Sequence, residues 1–117
     1  MSNRNIDIME HIIRYCEEIE EAQEHFGNSL ESLQVNTIYR NAVAMCILQI
    51  GELTKHLTDD FKKLYGGMPW HDIKGMRNIA AHHYSKFDAK KLWETISNDI
   101  PELKTYCEEI IRQHTAR

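Results

Sequence analysis

Apolar residues recur at steps of three, four and seven along most of the chain, and the helix is the only element with that period. In residues 6–26, Ile8, Ile12, Cys16, Ile19 and Phe26 form one stripe, widened by Met9, Ile13 and Tyr15. Glu17, Glu18, Glu20, Glu21 and Glu24 crowd the second half and belong to the wet face. Gly27-Asn28-Ser29 stops this first helix. Residues 30–35 read equally as a helical turn or as loop. A long second helix is expected over 36–57, with Ile38, Ala42, Met45, Leu48 or Gln49, Glu52 or Leu53, and His56 running along its length. Residues 42–48 are apolar almost all round, which makes this helix central. Gly51 inside it costs about 1 kcal/mol relative to Ala, and a close helix–helix approach is the compensation to look for.

Thr58-Asp59-Asp60 can cap a short helix through Leu64, and Gly66-Gly67 breaks the chain. Pro69 suits the first turn of a helix from Trp70 to His82 or Tyr84. Trp70 reads as a packing anchor. Residues 85–87 are expected as a linker, with Asp88 capping a helix over 89–98 whose apolar edge is Leu92, Trp93 and Ile96. Asp99 and Pro101 open a last helix, with Leu103, Tyr106, Cys107, Ile110 and Ile111 inward. Nothing alternates as a strand does. The expectation is an all-α bundle of four or five helices, one domain spanning 1–117.

Composition narrows the function. The chain has 117 residues, 42% of them hydrophobic and 27% charged, enough for one core without staples. No run of roughly 18 apolar residues could span a bilayer, and residues 1–5 do not resemble a signal peptide, so a cytoplasmic protein is expected. Cys16, Cys46 and Cys107 are far apart in sequence and lack a C-x-x-C pair, so they read as reduced, mostly buried thiols. The net charge is −4. Residues 62–91 nevertheless hold seven Lys and Arg against two acids, while the rest holds seven against 16. An acidic body therefore carries one basic segment, able to focus positive potential toward phosphate. Lys74 and Lys86 within it are candidate contacts for such a phosphate. The same count is also met by an ordinary solvated helix face.

Several chemistries drop out. There is no Walker loop, no G-x-G-x-x-G and no pair of Glu-x-x-His sequences. Glu52 and His56 stand four apart, but no second pair completes a metal site. His82 and His83 are adjacent, so on a helix they diverge by about 100°. What remains is Arg77-Asn78-Ile79-Ala80-Ala81-His82-His83-Tyr84, inside the basic segment. Arg77 and Tyr84 lie within about 20° around a helix, whereas Arg77 and His82 lie about 140° apart. The latter two do not meet on one long helix. Either the helix ends near His82, or a second subunit completes the site.

Residues 68–84, with Pro69-Trp70, Gly75-Met76-Arg77-Asn78 and the spacing Arg, four residues, His, any residue, Tyr, resemble the HepT-like branch of the HEPN superfamily. Ile50-Gly51-Glu52, Leu92-Trp93 and Asp99-Ile100-Pro101 are similar to the same family. The resemblance covers nearly the whole chain. It implies an all-helical toxin of a type VII-like toxin–antitoxin module, acting as a metal-independent ribonuclease. Such proteins are homodimers whose R-x4-H motifs face one another. The resemblance makes Arg77 and His82 catalytic and Asn78 a polar support, with His83 beside them. It implies no cofactor and no metal for this chain. Its implied partner is an MntA-like nucleotidyltransferase antitoxin that uses ATP to place AMP on Tyr84.

The residue types suit that chemistry. His is the side chain with an unperturbed pKa near neutrality and can serve as acid or base. Arg presents a permanent planar fork to phosphate. Cleavage would leave a 2′,3′-cyclic phosphate and a 5′-hydroxyl. The competing reading is a non-catalytic helical adaptor that binds a nucleotide or docks a nucleotidyltransferase.

Overall fold

A computed structural model describes residues 3–81 and 86–116; within these, the side chains at 3, 79, 81 and 86–88 fall outside the description. Every element among the described residues is helical. The order is α1 (Asn3–Phe26), α2 (Leu30–Val35), α3 (Thr37–Thr54), α4 (Asp59–Leu64), α5 (Trp70–Ala81), α6 (Lys86–Glu94), a π-helical turn (Thr95–Asp99) and α7 (Ile100–Thr115). Because α6, the π turn and α7 form one uninterrupted rod, the fold is four long helical segments with two short ones set between them.

The all-α expectation holds, and its departures are instructive. Helix α1 begins earlier than residue 6, because Asn5 is buried and holds the capping residue of α4. Its amide donates to the Thr58 hydroxyl at 3.1 Å and its oxygen accepts from the Thr58 backbone at 3.2 Å. The open reading of 30–35 resolves to helix: the Ser29 hydroxyl accepts from the Ser32 backbone N–H, capping α2. Asn36 is not the first residue of α3 but its cap, accepting from the Tyr39 N–H at 3.1 Å. The α-helix stops at Thr54, and residues 55–57 tighten into i→i+3 bonds that satisfy its last carbonyls. Thr58 caps α4 through the Phe61 N–H, as its sequence suggests.

Helix α3 is central as predicted, packed on α1 along one side and on α5 along another, while α7 lies against α1. Its inward residues, however, are Tyr39, Val43, Cys46, Ile47, Ile50 and Thr54. The run Ile38, Ala42 and Met45 faces out, with Ile38 68% and Met45 55% exposed. A helix apolar on nearly every side has no periodicity with which to choose its buried face. Trp70 is the anchor expected of it, buried with its indole N–H donating to the Tyr65 carbonyl at 3.0 Å. All three cysteines are free and buried.

The last third departs most. Helix α6 begins at Lys86, so residues 86 and 87 are not linker and Asp88 is its third residue rather than its cap. Aspartate is favoured across a helix's first turn as well as at the cap, so its presence does not fix the boundary. Asp99 and Pro101 stand at the cap position and in the first turn of α7, as expected, but the π turn runs into them without a break. Pro101 sits in the first turn of α7, directly after the π turn in which the Ile100 N–H reaches back to the Thr95 carbonyl.

Candidate RNA-cleavage site

Arg77 is positioned by α5 but held by α3. The two helices meet where Gly51 faces the arginine. A β-carbon on Gly51 would stand 2.5 Å from Arg77 Cγ and 3.2 Å from its Cδ. The glycine thus gives the aliphatic stem of Arg77 its berth, which is the close approach that an interior helical glycine calls for. The next residue, Glu52, supplies the counter-charge: its Oε1 lies 3.0 Å from Arg77 Nε. That N–H does not point along the contact, so the link is an ion pair rather than an aligned hydrogen bond. Glu52 Oε2 also lies 3.7 Å from Lys55 Nζ, so one carboxylate bridges two cations. The Arg77 side chain remains 43% exposed, open to a ligand.

On the same flank, Lys74 and Asn78 stand three residues before and one after Arg77, and both are exposed. The structure therefore brings Lys74, Arg77 and Asn78 to one side of α5. The other expected site residues are not placed: His82, His83 and Tyr84 lie outside the described residues, as does the Lys86 side chain. Helix α5 is described as far as Ala81. Sequence reasoning places Glu52 in the family-like Ile50-Gly51-Glu52 and weighs it as a metal ligand with His56, but misses it as the counter-charge of Arg77. With α3 ending at Thr54, Glu52 and His56 no longer share a regular helix face. No cluster of three or more metal-ligating side chains occurs among the described residues. The usable signal was the adjacency Gly51-Glu52, a gap beside a charge.

Chemically, the arrangement is a fixed cation on a basic flank of an acidic molecule, suited to a phosphodiester. The pairing carboxylate restrains the guanidinium without neutralising the flank, since Lys55 and Lys74 lie close in sequence to the pair. The described helices include none long and apolar enough to cross a membrane.

Comparison with known proteins finds the family that the sequence resembles. The family model "Ribonuclease HepT-like" matches residues 7–110. A protein of Thermococcus cleftensis named "Probable ribonuclease HepT" is 32% identical over 110 residues, which is 94% of this chain and 98% of that one. A candidate RNase of Caldanaerobacter subterraneus subsp. tengcongensis is 32% identical over 105 residues, 90% of this chain and 92% of the relative. A candidate RNase of Methanocaldococcus jannaschii is 32% identical over 107 residues, 92% and 81% of the two chains. No solved structure matches.

Proposed function

The chain belongs to the HepT-like ribonuclease family, and on that premise we propose that it is a metal-independent endoribonuclease toxin. The observation that carries the reading is Arg77 itself, laid across Gly51 and tethered by Glu52 on the basic flank. Arg77 engages the scissile phosphate and stabilises charge on the phosphorane. His82 transfers the proton, as base toward the 2′-hydroxyl or as acid toward the leaving 5′-oxygen. Lys74 and Lys86 steer the RNA backbone, and Asn78 and His83 support the pair. No metal or cofactor takes part.

Two copies complete the site. The open stripe Ile38, Ala42 and Met45 leads along α3 through Gln49 to Glu52, because steps of three and four stay on one helix face. A two-fold contact along that stripe carries each Glu52–Arg77 pair toward its mate. Tyr84, seven residues after Arg77, is the acceptor of AMP from an MntA-like nucleotidyltransferase antitoxin. The added phosphodiester competes with RNA for Arg77 at high effective concentration.

The test is cleavage of single-stranded RNA by purified protein in a chelator, beside Arg77→Ala and His82→Ala, with analysis of the product ends. Expected are 2′,3′-cyclic phosphate and 5′-hydroxyl ends from wild type and none from either variant. A His82→Ala protein that cleaves at the wild-type rate refutes the mechanism. A wild-type protein that binds RNA without cutting it favours the adaptor reading instead.

A further inference from the structure

The opposite flank of α5 carries a different kind of site. Helix α5 packs on α3 and α6, and on the side toward the start of α7 a cleft of about 440 Å³ remains open. Its floor is apolar, made by Met68, Ile73 and Met76. Its rim carries three carboxylates, Asp72 from α5, Asp99 from the π turn and Glu102 from α7, beside one imidazole, His71. The surface continues along α7 past Tyr106 to Glu109, sharing Glu102 with the cleft. Asp72, Asp99 and Glu102 are all exposed, and no ion pair joins any of them to a cation among the described residues. Burial lifts the Asp99 carboxyl above its ordinary range, with Glu102 and then Glu94 adding repulsion. A cation on the rim relieves that repulsion.

Gly75 lines the same cleft and gives the second argument. A glycine inside a helix costs about 1 kcal/mol relative to Ala. Gly51 uses that to seat Arg77, but a β-carbon on Gly75 would meet nothing within 4 Å. Among the described residues nothing fills the notch that the bare backbone leaves, so it is open to an occupant that comes closer than a side chain allows.

We propose that this cleft docks a cationic amphipathic segment of a partner protein, its apolar side chains seated on Met68 and Met76 over Gly75 and its Lys or Arg paired with Asp72, Asp99 and Glu102. Charge complementarity selects the occupant. The phosphates of RNA are repelled by this rim and drawn to the other flank of α5. A second copy is already accounted for by the α3 stripe.

The probe is a fluorescein-labelled peptide with Leu and Lys at helical spacing, followed by anisotropy. Expected are saturable binding that weakens as salt rises, and a loss of about tenfold or more in Asp99→Lys/Glu102→Lys. Gly75→Leu fills the notch without changing charge and is expected to weaken binding too. Glu18→Lys/Glu21→Lys, which alters the other acidic groove between α1 and α3, is expected to leave it unchanged. Circular dichroism confirms that each variant is folded, and Asp99→Asn/Glu102→Gln replaces the reversal if it is not. Wild-type affinity in both the charge and notch variants overturns the proposal, as does an equal loss from the α1 variant. NMR shifts centred on Gly75 and Glu102 when single-stranded RNA is added overturn it in favour of a nucleic-acid surface.

Discussion

One missing methyl and one carboxylate decide where the guanidinium of Arg77 points. In Gly51→Ala the new carbon falls 2.5 Å from Arg77 Cγ, at the root of the side chain, where a terminal rotation gives no relief. The gain in helix propensity, about 1 kcal/mol, is offset by overpacking of about 1–3 kcal/mol. The variant should therefore fold with modest destabilisation while RNA cleavage falls about tenfold or more. Glu52→Gln keeps the shape and removes the charge. Both partners of that pair are more than a third exposed, so stability should change by less than about 1 kcal/mol. The effect should appear in the cleavage rate. Gly51→Ala protein cutting RNA as fast as wild type removes Gly51 from this account.

At the scale of elements, the cap at Thr58 and the inward stripes of α1 and α7 were legible in the sequence, while the caps at Ser29 and Asn36 and the buried face of α3 were not. Ser29, Asn36 and Thr58 each accept from a backbone N–H three residues on, a local bond between near neighbours. Such bonds become legible once the helix start is known, because both partners lie within four residues of each other. The partner of Thr58 is not: Asn5 lies 53 residues away, and nothing in the pattern of α1 marks its third residue as buried. Thr58→Ala removes the cap and leaves the Asn5 amide without its acceptor. The expected loss is about 2–3 kcal/mol, read as a melting midpoint lower by roughly 10 °C. A shift within a degree of wild type would falsify the coupling of α1 to α4. The same limit explains the site. The Arg77–His82–Tyr84 spacing is a local string and stood out at once, while Glu52 reaches Arg77 across two helices and did not.

At the scale of the molecule, the apolar residues outnumber the places to hide them. Val35, Ile38 and Met45 are each more than half exposed, on or just before α3. Ile38→Glu/Met45→Arg should leave the core intact, convert the proposed dimer to monomer in light scattering, and abolish cleavage with it. A variant that stays dimeric places the two-fold contact elsewhere. The interior makes its own prediction in alkali. Burial pushes the Cys16 thiol up to about 12, with Glu20 adding to it, and pushes Cys46 up to about 12, with Glu18 adding to it; burial raises Cys107 as well. The unfolded chain ionises these thiols near their ordinary value of 9.0, before the folded protein does. The folded state then holds more protons, so stability is full below that value and falls as pH rises from there toward 12. Urea midpoints should drop over this window, and a triple Cys→Ala variant should drop less.

The π turn at Thr95–Asp99 sets the phase between two halves of one rod. The inward residues Ala89, Leu92, Ile96, Ile100, Leu103, Cys107 and Ile110 recur at three and four, as an unbroken α-helix would require. Yet α6 packs on α2, while α7 packs on α1. The wider winding between them holds one residue more than an α-helix would, a lag of roughly 100° that lets a single stripe serve two neighbours. Ser97, in that turn, has a buried hydroxyl with no partner among the described residues, so Ser97→Ala should unfold at the wild-type midpoint or above it. Deleting Ser97 keeps every apolar side chain and improves the helix. It also winds α7 away from α1, like a gear advanced by one tooth. Cooperative unfolding should disappear in the deletion and survive in the alanine variant. In this stretch the chain tolerates a change of letter better than a change of length.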